Sequence, residues 1–182
     1  MNQEKYLKNL KEYGLKNDIP NISITNAKFL RDLIKIKNAK NILEIGTANG
    51  FSTINFAFEL KNTGGKITTI EFSPNSQSDA LKNFKEAGVE NLIIPLLGNA
   101  LDIIPALKEK YDFVFIDGMK KRSKDFLELV WDKTEKNGII IIDDVIKFKE
   151  KMISLYDYLK EENITYNVIP IDPDDGIIMI IR

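Results

Sequence analysis

The chain contains no cysteine and no histidine among its 182 residues. Without cysteine, disulfides and thiolate zinc sites are excluded, and an intracellular, cytoplasmic location is expected. Without histidine, a general base has to be a carboxylate, a lysine or a tyrosine, and a metal ion would need oxygen ligands. Any catalytic site in this chain must therefore be built from oxygen atoms and amines.

The sequence also lacks a strong charge of either sign and a long apolar run. Its formal net charge is −1, so the whole molecule offers no general attraction to a polyanion. Apolar stretches such as Ile139 to Ile142 are far too short to span a bilayer, and no membrane partner is expected. Since 43% of the residues are hydrophobic, one core can form. We expect a single domain, with residues 1–40 as N-terminal helices and residues 41–182 as an α/β core.

A turn after an apolar strand carries the most informative residues of the chain. The stretch Asn41–Ser52 runs from apolar residues into a turn with Glu44, Gly46 and Gly50, and helical apolar spacing resumes at Phe51. Glycines let a ligand approach the backbone, and a helix N-terminus offers free N–H groups to a phosphate or carboxylate. The turn lacks the Gly-Lys-Ser/Thr ending of a P-loop and the third glycine of a dinucleotide fingerprint, which disfavours NAD without excluding it. It predicts a nucleoside-cofactor loop.

Strand-like and helix-like segments alternate after residue 40. Such alternation predicts a parallel sheet covered by helices on both faces, and the short turn Asp172–Gly176 predicts that the last strand returns antiparallel. The expected fold is a Rossmann-like α/β sheet of seven strands, mostly parallel. The strands are expected at Asn41–Gly46, Lys66–Glu71, Asn91–Leu96, Asp112–Asp117, Gly138–Asp143, Thr165–Pro170 and Gly176–Ile181. The helices between them are expected at Thr53–Leu60, Gln77–Ala87, Ala100–Glu109, Ser123–Thr134 and Lys147–Glu162, with Pro20 breaking the N-terminal helices.

Acidic residues stand at the ends of three predicted strands. Glu71 follows the glycine loop by roughly 20 residues, where an acidic side chain accepts the ribose hydroxyls of a nucleoside. Asp117 ends one later strand, and Asp143 and Asp144 end the next, so three carboxylates are expected at one edge of the sheet, with Lys120 just beyond. Clustered carboxylates repel one another unless a cation such as Mg²⁺ or Ca²⁺ joins them. Their alternative role is to cap the helices that follow.

The ordered motifs resemble class I S-adenosylmethionine (SAM) methyltransferases. The loop Glu-x-Gly-x-x-x-Gly, with Ala48 in place of a middle glycine, and the run from Tyr111 to Val145 look like the catechol and caffeoyl-CoA O-methyltransferase branch. Asp144 stands where that branch usually has Asn, and Asn99 where it usually has Asp. The resemblance implies cofactor contacts from Glu44, Gly46, Thr47, Gly50, Ser52, Glu71, Asn99, Ala100 and Asp117. It also implies metal ligands at Asp117, Asp143 and Asp144, and a catalytic base at Lys120.

The function implied by this resemblance is divalent-metal-assisted transfer of the SAM methyl group to a hydroxyl of a small catechol-like or CoA-linked acceptor. Lys120 acts as a base only if its pKa is lowered. A metal ion and Lys121 would lower that pKa, whereas three aspartates would raise it. Methyl transfer to RNA, an NAD(P)-dependent oxidoreductase and a non-catalytic SAM-binding domain are the alternatives.

Two surface features suggest further partners. Lys121, Arg122 and Lys124 continue the positive charge beside Lys120; their usual meaning is a solvated helix face, and their functional reading is a landing site for an anionic substrate such as a CoA thioester or RNA. A set of apolar residues exceeds what one thin helical layer must bury, although a packed core could absorb them all; the family resemblance suggests a homodimer as the alternative. That set comprises Tyr6, Leu7, Leu10, Tyr13, Val130 and Trp131.

Overall fold

The computed structural model describes residues 2–182, which form a seven-stranded sheet flanked by helices. The helices are α1 (Gln3–Lys16), α2 (Ile24–Lys37), α3 (Phe51–Thr63), α4 (Pro74–Ala87), α5 (Ala100–Ala106), α6 (Ser123–Trp131) and α7 (Ile153–Glu161). The strands are β1 (Asn41–Ile45), β2 (Lys66–Glu71), β3 (Ile93–Leu97), β4 (Tyr111–Ile116), β5 (Thr134–Ile142), β6 (Tyr166–Ile169) and β7 (Ile177–Ile181). Short 3₁₀ segments lie at Glu90–Leu92, Lys120–Arg122 and Lys149–Met152.

The strand order β3-β2-β1-β4-β5-β7-β6 confirms the predicted Rossmann-like fold. Strands β1 to β5 pair in parallel, and β7 runs antiparallel to both β5 and β6. The order reverses between β1 and β4, where open α/β sheets bind ligands beyond the carboxyl ends of their strands. The carboxyl ends of β1, β2, β4 and β5, which carry the predicted site residues, therefore meet at one edge.

Several predicted boundaries were wrong by a few residues. Helix α5 ends at Ala106 rather than Glu109, since Pro105 has no N–H to continue the helical ladder. Strand β5 begins at Thr134, inside the predicted helix, because its pairing with β4 extends past a register shift to Tyr111. Helix α7 begins at Ile153, and a 3₁₀ segment fills part of the predicted helical stretch before it.

The apolar residues of the central strands alternate between two cores, one on each face of the sheet. Ile42, Phe113 and Ile141 belong to one cluster, and Leu43 and Val114 belong to the other. This alternation follows from the period of two along a strand and leaves the sheet buried on both faces, as a parallel sheet requires. None of the helices formed within residues 2–182 is long and apolar enough to cross a membrane.

Helices α1 and α2 cover the outer surface of α3, which is why α3 is buried on nearly every side. Glu59 of α3 is only 5% exposed, and its carboxylate is paired with Arg31 at 2.6 Å and with Lys35 at 3.5 Å, both from α2. A charge this deeply buried needs such partners. The break near Pro20 is confirmed: α2 starts at a new cap, in which Ser23 Oγ accepts a hydrogen bond from the Asn26 N–H.

Much of the apolar surface that suggested a dimer is absorbed by the chain's own core. Leu7, Leu10 and Val130 are buried. The hydroxyl of Tyr6 donates a hydrogen bond to the carbonyl of Asn83 at 3.0 Å, whereas Tyr13 is 52% exposed. The dimer stays a prediction.

Candidate active site

A cavity of about 800 Å³ opens beyond the carboxyl ends of the central strands. The glycine loop after β1 and the end of β2 form one half, which we call the cofactor half. The residues that follow β4 and β5 form the other, which we call the acceptor half. Of the residues predicted from the sequence, the lining includes Gly46, Glu71, Asn99, Ala100, Asp117, Lys120 and Asp144.

The glycine loop adopts backbone angles that explain its composition. Gly46, Ala48 and Gly50 have φ values of 101°, 48° and 85°, in the left-handed region that favours glycine. A Cβ on Gly46 would lie 2.4 Å from the carbonyl oxygen of Asp117, whereas a Cβ on Gly50 would meet the ring of Phe84. Gly46 thus permits close contact between the two halves of the site, and Gly50 permits packing of the loop on the core.

Glu71 binds the glycine loop as well as facing the cavity. Its Oε2 accepts hydrogen bonds from the N–H groups of Thr47 at 3.1 Å and Ala48 at 2.8 Å, and its Oε1 accepts one from Ser73 at 2.8 Å. An ionised carboxylate has about four lone-pair sites, so three bonds leave room for a further donor. The carboxylate fixes the loop and keeps accepting capacity toward the cavity.

Glu44 lies behind the loop and is fully buried. Its carboxyl accepts hydrogen bonds from Ser52 at 2.6 Å, from Thr69 at 2.6 Å and from Thr53. Burial raises the pKa of Glu44 to about 7, although these hydroxyls act in the opposite direction. The side chain of Glu44 ties β1, β2 and α3 together, and the predicted contact of Glu44 with a cofactor stays a prediction.

Three other predicted cofactor residues share that position behind the cavity wall. Thr47, Gly50 and Ser52 are buried against the loop and α3 rather than forming part of the lining. A hydroxyl that caps or braces a loop has the same sequence signature as one that binds a ligand. In this structure these residues support the loop, and their contacts with a cofactor stay a prediction.

Lys120 occupies the centre of the acceptor half. Its ammonium lies 2.6 Å from Asp117 Oδ1 and 2.7 Å from Asp144 Oδ2, and its side chain is only 16% exposed. Burial alone would lower the pKa of Lys120, but the two carboxylates outweigh burial and hold the pKa above its ordinary value. This direction is opposite to the lowered pKa that the predicted role of Lys120 as a base requires, and that role stays a prediction.

The three predicted metal ligands are not arranged as a metal site. Asp143 is 6% exposed and lies outside the lining, and its Oδ1 accepts a hydrogen bond from Asn26 Nδ2 at 2.9 Å. Burial and the charges of Asp117 and Asp144 raise the pKa of Asp143 well above its ordinary value. In the part of the chain that the structure describes, no three acidic side chains are spaced to hold a metal ion. The carboxylate chemistry suits a divalent ion, but the arrangement does not.

Asp175, which was not predicted from the sequence, braces the segment after Asp144 from the turn before β7. Its Oδ1 accepts hydrogen bonds from the N–H groups of Ile146, Lys147 and Gly176. Its Oδ2 is buried without a hydrogen-bond partner among residues 2–182, and burial together with the negative charge of Asp175 raises the pKa of Asp144. The sequence signal that could have identified Asp175 is the Asp175-Gly176 pair in the turn before β7, the strand that neighbours β5.

The connection between α1 and α2 forms a wall that sequence reasoning also missed. Asp18, Ile19 and Pro20 line the cavity together with Met119, which is 68% exposed. Pro20 was predicted only as a break between helices. Its place at the cavity depends on how α1 and α2 pack on α3, which a local pattern does not encode.

The basic residues that follow Lys120 are partly neutralised. Arg122 pairs with Asp125 at 2.8 Å, and Lys124 pairs with Glu128 at 2.9 Å, in each case within one helical turn. Lys121 is exposed and has no ion-pair partner in the described range 2–182. An interface for RNA or for another anionic substrate stays a prediction.

Comparison with known proteins agrees with the fold. The profile of the O-methyltransferase family matches residues 1–177, and the chain belongs to this family. It is 34% identical over 135 residues to a catechol O-methyltransferase of Niastella koreensis, with 71% of this chain and 61% of that protein covered. It is 33% identical over 135 residues to a catechol O-methyltransferase of Mycobacterium tuberculosis, with 71% and 60% covered.

A solved structure extends the likeness over nearly the whole chain. An O-methyltransferase from Bacillus cereus in complex with SAH has a TM-score of 0.86 and 26% identity, and the match covers 98% of this chain and 91% of that one. The chain spans about 60% of the length of the curated relatives named above. The glycine loop alone left an NAD(P)-dependent oxidoreductase open as an alternative. The chain belongs to the O-methyltransferase family instead.

Proposed function

We propose that this chain transfers the methyl group of SAM to a hydroxyl oxygen of a small acceptor. The observation that carries the proposal is a single cavity with two chemically different halves, in which a glycine loop braced by Glu71 faces a partly buried cluster of Lys120, Asp117 and Asp144. A loop with accepting capacity suits a nucleoside. A fixed ammonium suits an oxygen that gains negative charge.

The cofactor half provides groups for each part of an adenosine. Glu71 accepts the ribose hydroxyls with its remaining capacity, and Gly46 leaves space for close approach to the backbone. Phe72, next in the chain, lines the cavity with 76% of its surface exposed, which gives a flat apolar surface for a base. Asn99 and Ala100, which line the cavity at the start of α5, border the adenine. These assignments extend the family resemblance residue by residue.

The acceptor half favours a hydroxyl that ionises readily, such as a phenol or catechol. Ammonium N–H groups stabilise a phenolate, and alignment of that oxygen with the sulfonium methyl group accelerates transfer. Relatives of this chain carry the name catechol O-methyltransferase, which supports a small catechol-like acceptor; a CoA-linked phenol is the second acceptor class. Since the predicted metal ligands do not form a metal site, no step of the reaction is assigned to a divalent ion.

Calorimetry followed by an acceptor screen tests this proposal. S-adenosylhomocysteine (SAH) should bind, and NAD should not. Incubation with methyl-labelled SAM and a panel of catechols, phenols and aliphatic alcohols should then label the catechols or phenols. Binding of NAD in preference to SAH would reject the proposed cofactor. SAH binding with no transfer to any hydroxyl in the panel would favour the non-catalytic SAM-binding domain.

A further inference from the structure

The observed contacts of Lys120 do not agree with the predicted metal site, because Lys120 contacts carboxylates that were predicted to bind the metal ion. Two of the three ligands, Asp117 and Asp144, hold the Lys120 ammonium at 2.6 Å and 2.7 Å. The third, Asp143, is turned toward Asn26 of α2, which donates a hydrogen bond to its Oδ1 at 2.9 Å. One carboxylate oxygen of each predicted metal ligand is therefore already engaged by a side chain of the chain itself.

Asp144 explains why the ammonium is held from two sides. The branch that this chain resembles usually has Asn at this position, and a neutral amide would leave Lys120 with one carboxylate partner. Asp144 has a left-handed backbone with φ of 62°. Two carboxylates and one buried ammonium then form a compact charge cluster at the cavity wall.

We propose that the Lys120 ammonium is the resident cation of this site, and that this chain transfers methyl groups without a divalent ion. This inference rests on the proposed function and assigns the residue that stabilises the acceptor oxygen. An ammonium has three N–H donors, of which Asp117 and Asp144 each engage one. One donor remains for an acceptor oxygen in the cavity, which Lys120 lines.

The resulting reaction balances without a further reactant. The acceptor hydroxyl releases its proton to water at the cavity mouth, and the Lys120 ammonium stabilises the oxyanion. A lone pair of that oxygen forms the new O–C bond to the methyl group. The C–S bond breaks and its electron pair passes to sulfur, which leaves neutral SAH. Lys120 stays protonated throughout, and its role is electrostatic.

A metal titration tests the proposal without knowledge of the acceptor. Chelator-treated wild-type protein is titrated with Mn²⁺ and with Mg²⁺ by calorimetry, with SAH present. We expect no uptake of either ion at submillimolar concentration. Saturable uptake of Mn²⁺ in that range, by protein that also binds SAH, would overturn the resident-cation proposal. Failure to bind SAH would instead reject the proposed function, so the two failures are distinguishable.

Activity of matched variants provides the second readout. Wild-type turnover should change less than twofold between EDTA and added Mg²⁺. Lys120→Met should lower kcat about 100-fold, as loss of one preorganised donor to an oxyanion does, and Mg²⁺ should not restore it. Lys120→Arg keeps the charge and should retain more activity than Lys120→Met, whereas Lys66→Met, at an exposed position at the amino end of β2, should match wild type. If EDTA abolishes wild-type turnover and Mg²⁺ restores it, the proposal is wrong, whether or not Lys120→Met folds.

Discussion

The two halves of the cavity are held together by different forces. The cofactor half depends on backbone geometry. Three residues of its loop have left-handed backbone angles, and the carboxylate of Glu71 accepts hydrogen bonds from backbone N–H groups of that loop and of Ser73. The acceptor half depends on charged side chains from separate segments, with Lys120 between two aspartates and Asp143 paired to Asn26 across 117 positions of the chain. Changes in the first half should therefore act by steric strain, and changes in the second by unbalanced charge.

The largest effect is expected at Gly46, where the two halves meet. Gly46→Ala places a Cβ 2.4 Å from the carbonyl oxygen of Asp117 on a residue with φ of 101°. Strain and overpacking together should lower the free energy of unfolding by about 3 kcal/mol or more. Gly64→Ala is the matched control, because Gly64 has φ of 69° and open space around it, and it should cost about 1 kcal/mol. If urea denaturation shows that Gly46→Ala and Gly64→Ala lower the free energy of unfolding equally, the proposed close contact between the two halves is wrong.

The buried carboxyl of Glu44 should make the stability of the cofactor half depend on pH. Its folded pKa of about 7 lies above the ordinary value of 4.5. Because the folded state holds this proton more tightly than the unfolded state does, the stabilisation is complete below pH 4.5 and disappears as the pH rises through 7. The loss amounts to about 3 kcal/mol.

Glu44→Gln is neutral at every pH and isolates this contribution. The free energy of unfolding of wild type, minus that of Glu44→Gln, should fall by about 3 kcal/mol from about pH 4.5 to about pH 8. Glu90→Gln, at an exposed position, should leave the corresponding difference flat. A flat difference for Glu44→Gln as well, in urea denaturation across the same pH range, would mean that Glu44 is solvated.

Asp175 should matter for stability in the acceptor half. Asp175→Ala leaves three backbone N–H groups without their acceptor, which should cost about 2 kcal/mol. Asp175→Asn keeps Oδ1 and adds a donor toward Asp144, so its cost should be smaller. Asp174→Ala, whose side chain is 74% exposed, should fall within about 0.5 kcal/mol of wild type. Thermal unfolding in which Asp175→Ala matches Asp174→Ala would contradict the bracing role.

The smallest effect is expected at Ala48, where a non-glycine residue has φ of 48°. Ala48→Gly relieves the left-handed strain but adds flexibility to the unfolded chain, for a net gain of about 0.5 kcal/mol. A loss of stability on chemical denaturation would show that the methyl group of Ala48 packs usefully in the loop. Gly64→Ala, described above, is the reverse change at another left-handed position. It should change the free energy of unfolding in the opposite direction and serves as the reference.

The cofactor half was predictable because its signals are local. Gly46 and Glu71 lie at strand ends and Gly50 at a helix start, whose positions follow from periodicity, and the parallel sheet follows from the alternation of strands and helices. Periodicity places a residue at a strand end, but it does not show which groups the side chain of that residue contacts. That is why Glu44 was expected in the cavity and lies behind it.

The acceptor half was only partly predictable because its contacts join distant segments. The convergence of Asp117, Asp143 and Asp144 followed from adjacent parallel strands. The partners that separate them did not: Asn26 reaches Asp143 because α2 packs on α3, and the charge of Asp175 acts on Asp144 because β7 inserts beside β5. Competition between Lys120 and a metal ion for the same oxygens is a question of three-dimensional geometry.

The most direct test of the separate roles of the cofactor half and the acceptor half measures SAH affinity and methyl-transfer rate in two variants. Glu71→Ala should weaken SAH binding by about tenfold to a hundredfold, as loss of a charged hydrogen-bond partner does, while the rate at saturating SAM falls much less. Lys120→Met should leave SAH affinity within about twofold of wild type while kcat falls about 100-fold. If both variants lose SAH affinity equally, or if Lys120→Met keeps its kcat, the assignment of the two halves is wrong.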